Sequence, residues 1–187
     1  MPKLIYITNT SLDGYVEDQT GAFDWGNPDQ VFFEFITELL RPIGTYLYGR
    51  RLYETMAYWE APVEDFPPER LEFARVWQKA EKIVFSRTLT GATARNTRLE
   101  REFDFEAIRK LKRESAHDIS IGGAELAGLA MEADLVDECQ LFLNPVIVAG
   151  GKPAFRAGFR RNLELLDTRR FGTGVIHVRY RIRGRTP

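Results

Sequence analysis

The chain has 187 residues, 44% of them hydrophobic, and its 26 basic residues nearly balance its 27 acidic ones, for a formal net charge of −1. That length suits one domain around one core, and the apolar share can offset chain entropy without staples, which excludes a disordered segment or a disulfide miniprotein. The balanced charge lacks the basic excess of a general nucleic-acid binder, and no stretch approaches the roughly 20 apolar residues of a membrane span.

Apolar runs then alternate with helical periodicities, the pattern of an α/β domain. Leu4 to Ile7 reads as a buried strand. Phe32, Phe35, Ile36 and Leu39 recur at helical spacing, and Pro42 with Gly44 closes that helix. Thr45 to Tyr48 is a second strand, stopped at Gly49. A turn rich in proline (Pro62, Pro67, Pro68) leads to a helix marked by Phe73, Val76, Trp77 and Ala80. Lys82 to Phe85 is a third strand. Phe105, Ile108 and Leu111 mark a third helix with Asp104 placed to cap it. Ile119 to Ile121 and Ala124 to Glu132 form the next strand and helix. Cys139 to Ala149 is strand-like but broken at Asn144-Pro145, and Leu163 to Leu166 is apolar again. The last strand alternates, with Ile176, Val178, Tyr180 and Ile182 on one face and His177, Arg179, Arg181 and Arg183 on a face expected to meet solvent. The front of the chain therefore reads as parallel and helix-wrapped, the tail as antiparallel strands joined to the same sheet, all in one domain over 1–187.

The single cysteine, Cys139, lies in an apolar run and reads as a small buried hydrophobe. The two histidines, His117 and His177, lack ligand-spaced companions, so no metal is expected. The apolar run behind Lys3 is too short for a signal-peptide core, and a cytoplasmic location with no membrane or nucleic-acid partner is expected.

In an open α/β sheet, ligands bind beyond the carboxyl ends of the parallel strands. After the first strand come Thr8-Asn9-Thr10-Ser11-Leu12-Asp13-Gly14-Tyr15, small polar groups ending in an Asp-Gly reversal that is equally an ordinary hairpin turn. After the second come Gly49-Arg50-Arg51-Leu52-Tyr53-Glu54, a helix start with guanidinium groups for an anion, or a solvated surface. After the third come Ser86-Arg87-Thr88, which suit a ribose 2′-phosphate or a plain loop. After the fourth come Gly122-Gly123-Ala124-Glu125, a tight turn that brings amides close to a phosphate without being the GxGxxG fingerprint. All four fall on one edge of one sheet, where they could hold a pyrophosphate and a 2′-phosphate.

The segments SLDGYVED at 11–18, YGRRLYE at 48–54, KIVFSRT at 82–88, ISIGGAELA at 119–127 and LVDECQLFLNPVIVAGGKPAF at 135–155 resemble, in order, the dihydrofolate reductase-like superfamily. More closely, they resemble the reductase (RibD C-terminal) domain of riboflavin biosynthesis. The resemblance implies a three-layer α/β fold: a mixed, mostly parallel central sheet of about eight strands with antiparallel C-terminal strands and helices on both faces. It implies an NADPH-dependent reductase acting on a small pterin- or pyrimidine-like heterocycle. By position, Gly49, Arg50, Arg51 and Leu52 would meet the pyrophosphate and adenosine half. Ser86 and Arg87 would surround the 2′-phosphate, and Gly122, Gly123, Ala124 and Glu125 would form the second phosphate turn. Thr8, Asn9 and Leu12 would lie near the nicotinamide, with Gly14 shaping the adjoining loop and Asp13 and Asn9 as candidate catalytic groups. Trp25, Gln30 and Tyr53 would line the substrate, with Phe32, Tyr58 and Trp59 as further aromatic walls, ordinary core or surface packing being the competing role of each aromatic. Asp24, Asp29 and water join Asp13 as candidate proton sources.

Two features depart from the resemblance. Threading Trp25-Gly26-Asn27-Pro28-Asp29-Gln30 onto the dihydrofolate reductases puts Gln30 where they carry a buried acid, with Asp29 one residue and about 100° away. The H-x-E and P-C-x-x-C pattern of the zinc deaminase that precedes the riboflavin reductase is absent. The chain is expected to act on a small molecule as a homodimer. A non-catalytic nucleotide- or pterin-binding module and a phosphosugar- or nucleotide-modifying enzyme are the competing readings.

Overall fold

A computed structural model describes residues 1–26, 28–61 and 66–184. Asn27, of the segment threaded above, and Pro62, of the proline-rich turn, lie outside the described residues. The strands are β1 (Leu4–Ser11), β2 (Tyr15–Glu17), β3 (Ile43–Gly49), β4 (Glu81–Phe85), β5 (Thr97–Glu100), β6 (Asp118–Gly122), β7 (Glu138–Asn144), β8 (Lys152–Pro153), β9 (Leu163–Arg170) and β10 (Ile176–Ile182). The helices are α1 (Gln30–Leu40), α2 (Arg50–Met56), α3 (Pro68–Lys79), α4 (Phe105–Glu114) and α5 (Ala124–Glu132), with a 3-10 turn at Ala57–Glu60.

Eight strands form the main sheet in the order β5-β4-β3-β6-β1-β7-β10-β9, while β2 and β8 pair in a small separate ribbon. The first six in that order run parallel, and β10 and β9 complete the sheet by antiparallel pairing. Strands buried on both faces favour apolar residues at successive positions, which is why Leu4–Tyr6 reads as a continuous run. One face, through Ile5, Tyr46, Tyr48, Val84 and Phe142, packs on α1 and α3. The other, through Leu4, Tyr6, Leu47, Ile83 and Cys139, packs on α4 and α5.

The helix starts follow their sequence signals. Asp29 accepts the Phe32 N–H at 2.8 Å and Asp104 accepts that of Glu106 at 2.8 Å, each side chain filling an N-terminal donor of its helix. Lys82 is 0% exposed, and its ammonium donates to the carbonyls of Trp77, Gln78 and Ala80 at 3.2, 3.1 and 3.0 Å, satisfying the end of α3.

The alternation in β10 divides solvent differently from the expectation. His177, on the face expected to be wet, is 1% exposed, whereas Ile176, on the apolar face, is 42% exposed. The reason is β10's position inside the sheet, between β7 and β9, where His177 packs against Phe35 and Phe142 at ring distances of 5.0 and 4.8 Å.

Candidate functional site

Parallel strands with crossover helices bring the ends of β1, β3, β4 and β6 to one edge. There β1 outruns its neighbour: it pairs with β6 only through Leu4, Ile5 and Tyr6, but with β7 from Ile5 to Ser11. In a parallel ladder alternate residues turn their backbone groups to opposite sides. Lys3 O accepts from Ile119 N at 2.8 Å, so the odd-numbered residues face β6, and the backbone of Asn9 faces a flank with no strand on it. Asn9 is exposed, and its side chain has no partner among the described residues. Thr8 is half-buried and donates from Oγ1 to Asn9 O at 3.3 Å.

Asp13 is bound rather than free. Its two oxygens accept the N–H groups of Val148 and Ala149 at 3.2 and 2.8 Å, tying the β1–β2 turn to the loop that follows β7. Hydrogen bonding from Ser11, reinforced by these amides, holds its carboxyl below the usual range. A depressed carboxyl is a clamp more readily than a proton donor. Asn144, 2% exposed, fixes the same junction from beneath by donating to Thr10 O and Phe142 O at 2.9 and 3.2 Å. Leu12 and Ile147 stand out from the two loops at 60% and 68% exposure, and Gly14 accepts the Ala154 N–H at 2.9 Å.

At the end of β3, Gly49 opens α2 without a side-chain cap. Arg50 donates to Glu54 at 2.7 Å and to Thr88 Oγ1 at 2.9 Å, bridging the ends of β3 and β4. Arg51 is 82% exposed and lies 3.6 Å from Glu17 of β2. Leu52 turns inward: a Cβ on Gly122 would collide with its terminal methyl, so that glycine serves helix–strand packing. Gly123 differs. It sits at φ 88° and starts α5, with open space where a side chain would project. Ala124 is buried, whereas Glu125 pairs with Lys152 at 2.9 Å, which holds its carboxyl below the ordinary value.

At the end of β4, Ser86 is 7% exposed, and its hydroxyl accepts the Thr88 and Leu89 N–H groups at 3.3 and 3.0 Å. Arg101 donates to the Ser86 and Leu89 carbonyls at 3.0 and 2.9 Å. The turn is thus preformed, and it presents Arg87, exposed and without a partner among the described residues.

The three substrate candidates do not converge. Trp25 is half-buried. Gln30 is exposed and donates to Glu34 at 2.8 Å, with Asp29 committed to its cap. Tyr53 is 1% exposed, and its hydroxyl accepts the Thr93 and Ala94 N–H groups at 2.8 and 2.9 Å, so no face of it meets a ligand in this structure. Phe32, 9% exposed, is core against Phe142 and Phe171.

The sequence reading missed Lys152, Arg101 and the Asn144 brace. The proline after Asn144 and the Gly150-Gly151 pair were their only local signal. A second cleft of about 380 Å³ opens at the opposite ends of the strands, lined by Lys3, Lys112, Val136 and Asp137 among others, but its lysines are paired with Glu138 and Asp137.

The sheet order and the helices on both faces define a dihydrofolate reductase-like α/β fold. The RibD C-terminal domain family model matches residues 2–177, and the chain belongs to that family. It is 32% identical over 186 residues, 97% of this chain and 96% of the other, to the uncharacterized protein YyaP of Bacillus subtilis (strain 168). Two solved structures share the fold. One is a pyrimidine reductase-like protein from Corynebacterium diphtheriae (TM-score 0.72, 16% identical, covering 98% of this chain and 93% of that one). The other is dihydrofolate reductase from Enterococcus faecalis complexed with NADP(H) (TM-score 0.65, 15% identical, covering 97% of each chain). Among the described residues no helix is long and apolar enough to cross a membrane.

Proposed function

We propose that the protein is an NADPH-dependent reductase of a pyrimidine- or pterin-like heterocycle. The observation that carries this reading is the grouping on one sheet edge of Arg87, without a partner among the described residues, an open left-handed turn at Gly123 and the free flank of β1 at Asn9. These fit the cofactor: Arg87 would take the 2′-phosphate, the Gly123 turn and the start of α2 the pyrophosphate, and the Thr8–Asn9 backbone the nicotinamide carboxamide. Bound there, NADPH supplies the hydride. The chain's own work is to orient the acceptor and exclude water, with Asp13 holding the two covering loops together. The NADP(H)-bound relative and the pyrimidine reductase-like relative support the cofactor and substrate class.

Thermal melts with NADPH and NADH test it. Ligand at about 100 times Kd adds about 2.7 kcal/mol, a rise of about 5–10 °C for a chain of this size. NADPH should give that rise, NADH a smaller one, and Arg87→Gln should narrow the gap. No shift with either at millimolar concentration would sink the reading.

One observation favours binding without turnover: Asp13 and Asp29 are both engaged by backbone amides. NADPH oxidation with any acceptor decides against it. Leu163 and Leu165 on the edge strand β9 and Ile176 on its neighbour β10, exposed by 44%, 54% and 42%, offer a surface for the expected homodimer, to be checked by light scattering.

A further inference from the structure

A row of four charges crosses the ligand edge. The small ribbon sets it: in the register of β2 with β8, Glu17 lies opposite Lys152, which brings their side chains to one face about 5 Å apart. Gly151 fixes that register, because its φ is 125° and a Cβ there would collide with the Glu17 carbonyl. On the other side of Lys152, the Tyr6 hydroxyl donates to Ala154 O at 3.0 Å and Ala154 donates to Gly14 O at 2.9 Å. Lys152 therefore stands on a backbone held from both sides.

Each end of the row reaches a helix. Glu17 meets Arg51 of α2 at 3.6 Å, and Lys152 meets Glu125 of α5 at 2.9 Å. Through Tyr53, α2 packs with the sheet face of Tyr46 and Tyr48; through Leu126, α5 packs with the opposite face of Leu47 and Ile121. The sequence Arg51, Glu17, Lys152, Glu125 thus passes from one face of the sheet to the other at the ends of β3 and β6.

The inner and outer members differ. Glu17 and Lys152 are 24% and 25% exposed, whereas Arg51 and Glu125 are each 82% exposed. An ion pair with one partner so far in water contributes little and exchanges readily. Glu125 also stands in the first turn of α5, beside Gly123, where a carboxylate suits the helix dipole but repels an arriving phosphate. A cation beside it makes that turn usable by an anion. Arg156, further along the same loop, is committed to Glu132 at 3.0 Å, which leaves the Lys152 ammonium in that position.

We propose that Lys152 is a ligand of the cofactor pyrophosphate, held ready by Glu125 and released to the phosphate when NADPH enters. A phosphate offers the ammonium several charged oxygens at once and outcompetes one exposed carboxylate. This rests on the NADPH reading of the same edge. It adds a ligand on β8 and a coupling, because the bound phosphate ties down the ribbon that carries Lys152.

Calorimetric titrations of the wild type, Lys152→Met, Glu125→Gln and the double variant with NADPH test it. Lys152→Met should weaken binding about tenfold or more, Lys152→Arg should keep most of the affinity, and Glu125→Gln should strengthen it. Adding Lys152→Met to Glu125→Gln should still weaken binding about tenfold. Amide exchange supplies a second readout: at saturating NADPH, exchange across Tyr15 to Glu17 should slow about tenfold in the wild type and far less in Lys152→Met. The proposal is overturned if Lys152→Met binds NADPH as tightly as the wild type, if the double variant does so (Lys152 then only screens Glu125), or if the ribbon is protected equally in both proteins. No NADPH binding by the wild type removes the reductase reading and this ligand together, whereas full-strength binding by Lys152→Met removes the ligand alone.

Discussion

The Asp13 carboxylate accepts the Ala149 N–H at 2.8 Å across 136 residues of chain, and Ala149 itself sits at φ 56°. A left-handed alanine is held by its surroundings, and here those include a carboxylate on the opposite loop. Asp13→Ala should release the loop after β7. Amide exchange at Val148 and Ala149 should quicken by about tenfold or more, with the core strands unchanged. If exchange there stays at the wild-type rate, Asp13 is not the clamp.

His177 makes the fold sensitive to acid. Burial pushes its pKa down to about 4, and Nε2 meets Gln140 Oε1 at 3.1 Å while Nδ1 has no partner among the described residues. In the unfolded chain an ordinary histidine titrates near 6.5. The unfolded state therefore binds the proton first, so stability is full above pH 6.5 and is lost as pH falls toward 4. The loss amounts to about 3 kcal/mol. Denaturant melts between pH 7 and pH 4 should show this loss in the wild type and a smaller one in His177→Phe.

Lys82 is the converse, a buried charge held by three carbonyls. Lys82→Met keeps the stem but leaves those acceptors unmatched, and should lower stability by about 2–4 kcal/mol in urea unfolding. A neutral outcome would mean that water takes over the carbonyls.

Cys139 is 0% exposed, and burial raises its thiol to about 11. Iodoacetamide at pH 8 should leave the native protein unmodified and label the denatured chain once.

Much of the fold was written in periodicity. α5 spans the residues whose pattern marks it, and Asp104 caps the helix that it precedes. β5, Thr97–Glu100, was invisible because an edge strand can be polar, and β2 and β8 have only three and two residues, too few for any period. Within the candidate site, the strand ends were legible because topology places them, but occupancy was not. Nothing local says that the Tyr53 hydroxyl is taken by residues 40 and 41 positions away, or that Ser86 spends its oxygen on its own turn. His177 looked wet because alternation reports two faces without saying which is covered.

The order β7-β10-β9 exchanges the last two strands relative to their order of synthesis. β9 leaves the ribosome first but has no neighbour to pair with until β10 inserts between it and β7. β10 is thus the keystone of that side, and β9 and β10 must join together. Loss of residues from Ile176 onward would not merely trim an edge. It would strand β9 and bare one side of β7, a template for unwanted pairing between chains.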